Sequence, residues 1–101
     1  MAFIIKGTTP SITYTFKTVR VADIQTAVLT MKKDDVTIVE RNLDTATAGT
    51  NSLTWKLTQQ ETLNGLSGAL MMINYVLTDG TRGASAKTPV QFEDNQKEEV
   101  L

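Results

Sequence analysis

Strict alternation of apolar and polar residues is the feature that most limits what this chain can fold into. Residues 12–16 (ITYTF) and 53–57 (LTWKL) both alternate, and a period of two places one set of side chains on a buried face and the other in water. The chain also has seventeen threonines, and this β-branched residue suits the solvent face of a strand. These patterns predict an all-β fold.

The composition restricts the chemistry that the chain can carry out. Its 101 residues fit one domain, and its net charge of −1 gives no electrostatic case for a nucleic-acid partner. It contains no histidine and no cysteine, which excludes histidine-based triads, thiol nucleophiles, disulfides and thiolate metal sites. We therefore expect no catalytic residues, no cofactor, no metal ligands and no enzymatic activity.

No segment has the pattern of a membrane or export signal. The longest apolar run, residues 69–73 (ALMMI), is far shorter than the roughly 20 residues that a membrane helix needs. Residues 2–5 (AFII) are followed at once by Lys6, so this apolar stretch is too short for a secretory signal. We expect cytoplasmic synthesis and no membrane insertion.

The pattern predicts about seven short strands and one helical turn, which favours an immunoglobulin-like antiparallel β-sandwich. We expect this sandwich to span residues 1–93 and an acidic tail to span residues 94–101. Residues 44–51 (DTATAGTN) are predicted to form a polar loop. The strands are expected at residues 3–6, 12–17, 26–33, 36–42, 53–57, 69–78, 81–87 and 90–92.

Three local features bear on the register or the sheet position of individual strands. In the strand at 36–42, Val36 and Ile38 compete with Val39 for the core, so its register stays open. Residues 69–78 form a nearly continuous apolar run, typical of a strand that is central or buried on both faces. Pro89 cannot donate to a ladder, which places the last strand at a sheet edge.

Turn signals separate these strands. Residues 58–61 (TQQE) match a capping box, which predicts a helix over about 59–64 that ends at Gly65 or Gly68. Residues 33–35 (KDD) and the pair Asp79-Gly80 predict hairpin turns.

Each group that might carry chemistry has a structural interpretation that we favour. Ser85 and Lys87 share a strand face, and a solvated polar face explains them better than a serine–lysine catalytic pair. Asp34-Asp35 fits a hairpin tip, and residues 44–49 hold too few acids for a calcium loop. Five of the six aromatic residues fall on inward positions, so core packing is favoured over a carbohydrate platform. The six are Phe3, Tyr14, Phe16, Trp55, Tyr75 and Phe92.

The terminal strands are the feature that points to a partner. Residues 3–5 and 90–92 are short strands whose edges can pair with another chain. Pro10, Pro89 and the acidic tail can protect such edges, and the sequence does not separate protection from use.

Several segments, taken in order, carry a family resemblance. They are residues 5–10 (IKGTTP), the strand ending at Phe16, Val39-Glu40, residues 57–63 (LTQQETL), residues 77–81 (LTDGT) and residues 99–101 (EVL). In these segments the chain resembles small virion-associated proteins of phages and prophages of Gram-positive bacteria. It is similar to the N-terminal β-sandwich domain of phage upper-baseplate proteins.

The resemblance implies a non-enzymatic virion structural protein, associated with the baseplate or tail. Its expected partners are other virion proteins or further copies of itself, bound through edge strands. It implies cytoplasmic synthesis in the bacterial host, followed by association with the virion. The alternative function is a module that binds carbohydrate or a cell surface.

Overall fold

A computed structural model of the chain describes residues 2–95, and of residue 2 the backbone alone. It contains one helix, α1 (Gln59–Leu63), and two 3₁₀ turns (Val21–Asp23 and Leu43–Thr45). The strands are β1 (Ala2–Ile5), β2 (Ser11–Thr15), β3 (Ile24–Lys33), β4 (Val36–Asn42), β5 (Thr47–Ala48), β6 (Ser52–Lys56), β7 (Ala69–Leu77), β8 (Arg82–Ala84) and β9 (Thr88–Glu93).

The strands form two sheets. The large sheet has the order β1-β9-β7-β3-β4, with β8 paired to β7, and the small sheet has the order β2-β6-β5. The predicted all-β sandwich is confirmed, although residues 2–95 contain nine strands instead of about seven. All pairs are antiparallel except β1 with β9, which run parallel.

The core lies between the two sheets. Its side chains come from every second position of the main strands, as the alternation predicted. The indole of Trp55 is fully buried, and its Nε1 donates to the carbonyl of Asn42 at 3.0 Å. The buried apolar residues are Ile4, Phe16, Ile24, Ala27, Leu29, Met31, Ile38, Val39, Leu53, Trp55, Leu57, Ala69, Ile73, Val90 and Phe92.

A β-bulge settles the register of β4. Met31 is paired with Val39 and Lys32 with Thr37, so Ile38 is an extra residue on β4. Two consecutive side chains, Ile38 and Val39, are therefore both buried, because a bulge lets two residues oppose one. Val36 is 53 % exposed, so of the three competing residues it is the one outside the core.

The expected position of the last strand is wrong. Strand β9 includes Pro89 and lies between β1 and β7, not at an edge. Pro89 precedes Val90, which is the β9 residue of the first β1–β9 pair, so its missing N–H lies just outside that ladder. The edge strands are β1 and β4 in the large sheet and β2 and β5 in the small sheet.

Two further segments can be compared with their predictions. Residues 44–51 are not a loop throughout, because they include the end of a 3₁₀ turn and the short strand β5, which pairs with β6. Ile24 is buried directly after the turn Val21–Asp23. Of the expected tail, only Asp94 and Asn95 lie within the described residues, and Asn95 Nδ2 donates to the carbonyl of Lys6 at 3.2 Å.

The capping box at α1 is confirmed. Glu61 N donates to the Thr58 hydroxyl at 3.2 Å, and Thr58 N donates to the Glu61 carboxylate at 2.7 Å. After the helix, Gly65 N donates to the carbonyl of Thr62, and Gly68 has a φ of +81° directly before β7. The two glycines therefore end the helix and begin the strand.

Candidate interaction surface: the open face of the large sheet

One face of the large sheet packs on the core, and the opposite face is not covered by any element within residues 2–95. We call this surface the open face. Its side chains are those that alternate with the buried positions of β1, β9, β7 and β3. They are Phe3, Ile5, Pro89, Gln91, Glu93, Leu70, Met72, Asn74, Val76, Val28, Thr30 and Lys32.

Strand β7 explains why the open face is apolar. It is central, with β3 on one side and β9 and β8 on the other. Its inward residues include the buried Ala69 and Ile73, and the residues between and beyond them, Leu70, Met72 and Val76, lie on the open face. The apolar run therefore marks a central strand whose open side is apolar at Leu70, Met72 and Val76 and polar at Asn74.

Three of the five large apolar side chains that are most exposed lie on this face. Phe3 is 65 % exposed, Ile5 is 48 % exposed and Leu70 is 41 % exposed. Phe3 and Ile5 stand on β1, whose outer edge has no strand partner in the described part of the chain. Apolar side chains and an unpaired backbone edge therefore occur side by side.

A hollow of about 270 Å³ lies on the open face across β3 and β7. We call it the lysine hollow, because Lys32 and Lys87 line it together with the apolar side chains of Leu70 and Met72. Thr30 and Asp34 complete the lining. The hollow therefore combines two apolar side chains with two lysines, one aspartate and one threonine.

A second hollow of about 280 Å³ lies further along the same face. Its lining includes Val28 and Val76, with Asn74 and Arg82 as polar neighbours. The open face is therefore not flat, and it carries two concavities in which side chains of another molecule can be seated.

The groups considered for catalysis have structural contacts. The hydroxyl of Ser85 accepts from Ile73 N at 2.9 Å and lies 3.1 Å from the carbonyl of Ala86, to which it donates. Lys87 lines the lysine hollow instead. The Ser85 hydroxyl thus bonds backbone groups and continues the hydrogen bonding along the edge of β7 where β8 ends.

The acidic groups are dispersed. Asp34 and Asp35 occupy the exposed tip of the β3–β4 hairpin, and Asp34 Oδ2 lies 3.8 Å from Lys33 Nζ. Within residues 2–95, no group of three or more acidic side chains is placed to hold a metal ion.

The aromatic side chains mostly serve the core. Trp55, Phe16 and Phe92 are buried, while Tyr14 and Tyr75 are partly buried and pack edge-to-face against Phe16 with ring centroids 4.8 and 5.1 Å away. The exposed aromatic residue is Phe3. This arrangement matches the five inward positions expected from the alternation.

An Arg41–Glu61 ion pair was not anticipated from the sequence. Arg41 Nη1 lies 2.9 Å from Glu61 Oε1 and also donates to the carbonyl of Lys56 at 3.0 Å. Arg41 Nε donates to the Thr45 hydroxyl at 3.1 Å, and both charged side chains are about four-fifths buried. The pair connects β4, β6 and α1. The capping glutamate was the only signal in the sequence, and nothing local identified its arginine partner.

The segments that carry the resemblance contact each other. The hydroxyl of Thr62 accepts from Gly7 N at 3.0 Å and donates to the carbonyl of Thr8 at 2.7 Å. Leu57 N donates to the carbonyl of Pro10 at 2.9 Å. Residues 5–10 and 57–63 are thus two parts of one structural unit.

No helix within residues 2–95 has the length and hydropathy to cross a membrane. A scan against protein-family models, a search of curated proteins and a search of solved structures each found no match to this chain. The fold and the open face are therefore the basis for assigning a function.

Proposed function

We propose that this chain is a non-enzymatic structural or assembly module of a phage or prophage virion, associated with the baseplate or tail, and that it acts through protein–protein contacts. The observation that carries the proposal is the open face. Its central strand, β7, carries Leu70, Met72 and Val76 on the side that no element within residues 2–95 covers.

The physical argument rests on what uncovered strands normally contain. Antiparallel sheets that face water on one side alternate apolar and polar residues, whereas strands covered on both faces are continuously apolar. Leu70, Met72 and Val76 follow the second pattern on a face that no element within residues 2–95 covers. Full burial of a fully exposed Leu or Phe side chain is worth about 1.5–3 kcal/mol. Leu70 is 41 % and Phe3 65 % exposed, so covering them contributes roughly half of that each and favours association.

The resemblance supplies the biological setting of the proposal. Residues 5–10 and 57–63, two of the segments that carry it, are joined by Thr62 into one unit. Synthesis in the bacterial cytoplasm followed by assembly into the virion is part of the same proposal. The free edge of β1 adds a second means of contact, since an edge strand can pair with a neighbouring chain.

Protein contact is preferred to the carbohydrate-binding alternative. Stacking on sugars calls for at least two exposed aromatic rings on one face. Trp55 is buried, Tyr14 and Tyr75 pack against Phe16, and Phe3 stands alone on the open face. The exposed apolar area there is mainly aliphatic.

Solution mass tests the proposal. We expect light scattering over a concentration series to detect a defined oligomer, or a complex when the virion proteins encoded beside this chain are added. Leu70→Glu on the open face should abolish that association, because it places a carboxylate in an apolar contact.

The matched control is Val36→Glu, which changes an exposed apolar residue on the other side of the large sheet. It should leave the assembly intact. A chain that stays monomeric at high concentration and binds none of the neighbouring virion proteins would contradict the proposal.

A further inference from the structure

We propose that residues 98–101 (EEVL) of a second copy of this chain bind in the lysine hollow, so that two copies exchange their acidic segments. The inference rests on the proposed function, because it names the partner for one part of the open face. It assigns a specific ligand chemistry to this hollow: an acidic segment followed by aliphatic side chains.

The chemistry of the two sites is complementary. The segment places Glu98 and Glu99 directly before Val100 and Leu101. The hollow is lined by Lys32 and Lys87 together with the apolar side chains of Leu70 and Met72. Aliphatic side chains can therefore be buried on these apolar side chains while the carboxylates meet the lysines.

The other charges near the hollow leave this match in place. Asp34 also lines the hollow, but its carboxylate lies 3.8 Å from the ammonium group of Lys33. Glu40 stands opposite Thr30 on β4, at the side of the face away from β9. An acidic segment is thus repelled at the β4 side, which favours entry past Lys87.

The size of the hollow suits side chains better than a small-molecule ligand. Its volume of about 270 Å³ falls below the roughly 300–1,000 Å³ of most small-molecule pockets. Its position on an exposed sheet face also leaves room for a segment to continue beyond it. Peptide anchors such as Val100 and Leu101 meet both conditions.

A second copy reaches the hollow more readily than the segment of the same chain. Pro89 is paired with Leu70, which lines the hollow. Asn95 comes six residues later, and its side chain donates to the carbonyl of Lys6. Strand β9 therefore carries the chain about 20 Å away from the hollow. Six residues separate Asn95 from residue 101, so a return over the same distance requires every one of them to be fully extended. A second copy has no such restriction.

Reciprocal exchange makes a closed pair. If each copy inserts its segment into the lysine hollow of the other, both lysine hollows are filled and neither copy keeps an unpaired segment. The expected assembly is therefore a dimer that does not grow into a filament.

Charge reversal with rescue tests the inference on the full chain. We expect sedimentation equilibrium to show that Lys32→Glu/Lys87→Glu raises the dimer Kd by about tenfold or more, as does Glu98→Lys/Glu99→Lys. Combining all four substitutions should return the Kd to near that of the unchanged chain. Val100→Ser/Leu101→Ser should also weaken the dimer.

The matched control is Lys17→Glu/Lys56→Glu, which makes the same change in net charge at exposed lysines away from the open face. It should leave the Kd unchanged. A monomeric unchanged chain, equal effects of the two lysine pairs, or failure of the fourfold variant to restore the dimer would each overturn the inference. If Leu70→Glu still breaks an assembly that the charge variants leave intact, the docking of residues 98–101 fails while the proposed function stands.

Discussion

The hydroxyl of Thr62 accepts a hydrogen bond from the backbone N–H of Gly7 at 3.0 Å, across 55 positions of sequence. Thr62 is fully buried, and the same hydroxyl donates to the carbonyl of Thr8 at 2.7 Å. One side chain on α1 therefore satisfies two backbone groups in the turn that follows β1. This contact ties the edge strand with the most exposed apolar residues to the body of the sandwich.

Thr62→Val should destabilise the fold by about 1–3 kcal/mol. The substitution keeps the shape of the side chain but leaves the N–H of Gly7 and the carbonyl of Thr8 without their hydrogen-bond partner. Thr62→Ser is the control, because it keeps the hydroxyl and loses one methyl group. Urea unfolding measures both, and a valine variant as stable as the serine variant would show that the hydroxyl is unimportant.

Trp55→Ala should cost about 3–5 kcal/mol, because it removes a large, fully buried side chain from the centre of the core. Lys56→Ala tests the opposite face of β6 and should change stability by less than about 0.5 kcal/mol. Thermal unfolding of the two variants checks the phase of this strand. Wild-type stability in Trp55→Ala would mean that the two faces of β6 are reversed.

Asp34→Gly should be more stable than Asp34→Ala by about 1 kcal/mol. Asp34 has a φ of +52° in a two-residue hairpin loop, and this left-handed region costs alanine roughly 1–2 kcal/mol but glycine very little. Denaturant midpoints of the two variants, measured side by side, give the difference. Equal midpoints would exclude the left-handed backbone at this position.

Asp79 should make the stability depend on pH in acid. The pKa of Asp79 is held below its usual 3.8 mainly because the backbone N–H of Thr81 donates to its carboxylate at 2.9 Å, with a further hydrogen bond from the Thr81 side chain. A carboxylate with a lowered folded-state pKa contributes stability above the unfolded pKa, and the contribution is lost as pH falls through the folded pKa.

Asp79→Asn removes this titration and is the variant to compare. The stability advantage of the unchanged chain over Asp79→Asn should be present at pH 5 and should shrink as the pH falls below about 4. Thermal melting at a series of pH values measures the difference. A constant difference across that range would show that Asp79 does not titrate with folding.

Prediction from the sequence succeeded where the signal is local. Alternation placed Leu53 and Trp55 in the core, and residues 58–61 identified the start of α1. Prediction failed for the position of β9 in the sheet, because Pro89 indicates only which N–H is missing and not which strand lies beside it. The Arg41–Glu61 pair also escaped prediction, since its members lie 20 positions apart and meet only when β4 packs near α1.

The sequence by itself determined most of the strands and their inward residues, the turns and the absence of histidine and cysteine chemistry. These follow from side-chain periodicity, from the capping box and from composition, all of which act within a few residues. Only the tertiary structure decided that β9 lies inside the large sheet, that a bulge buries both Ile38 and Val39, and that Leu70 and Met72 face outward beside Lys32. Strand order and register depend on long-range pairing and on which face the other sheet covers, and no local pattern specifies either.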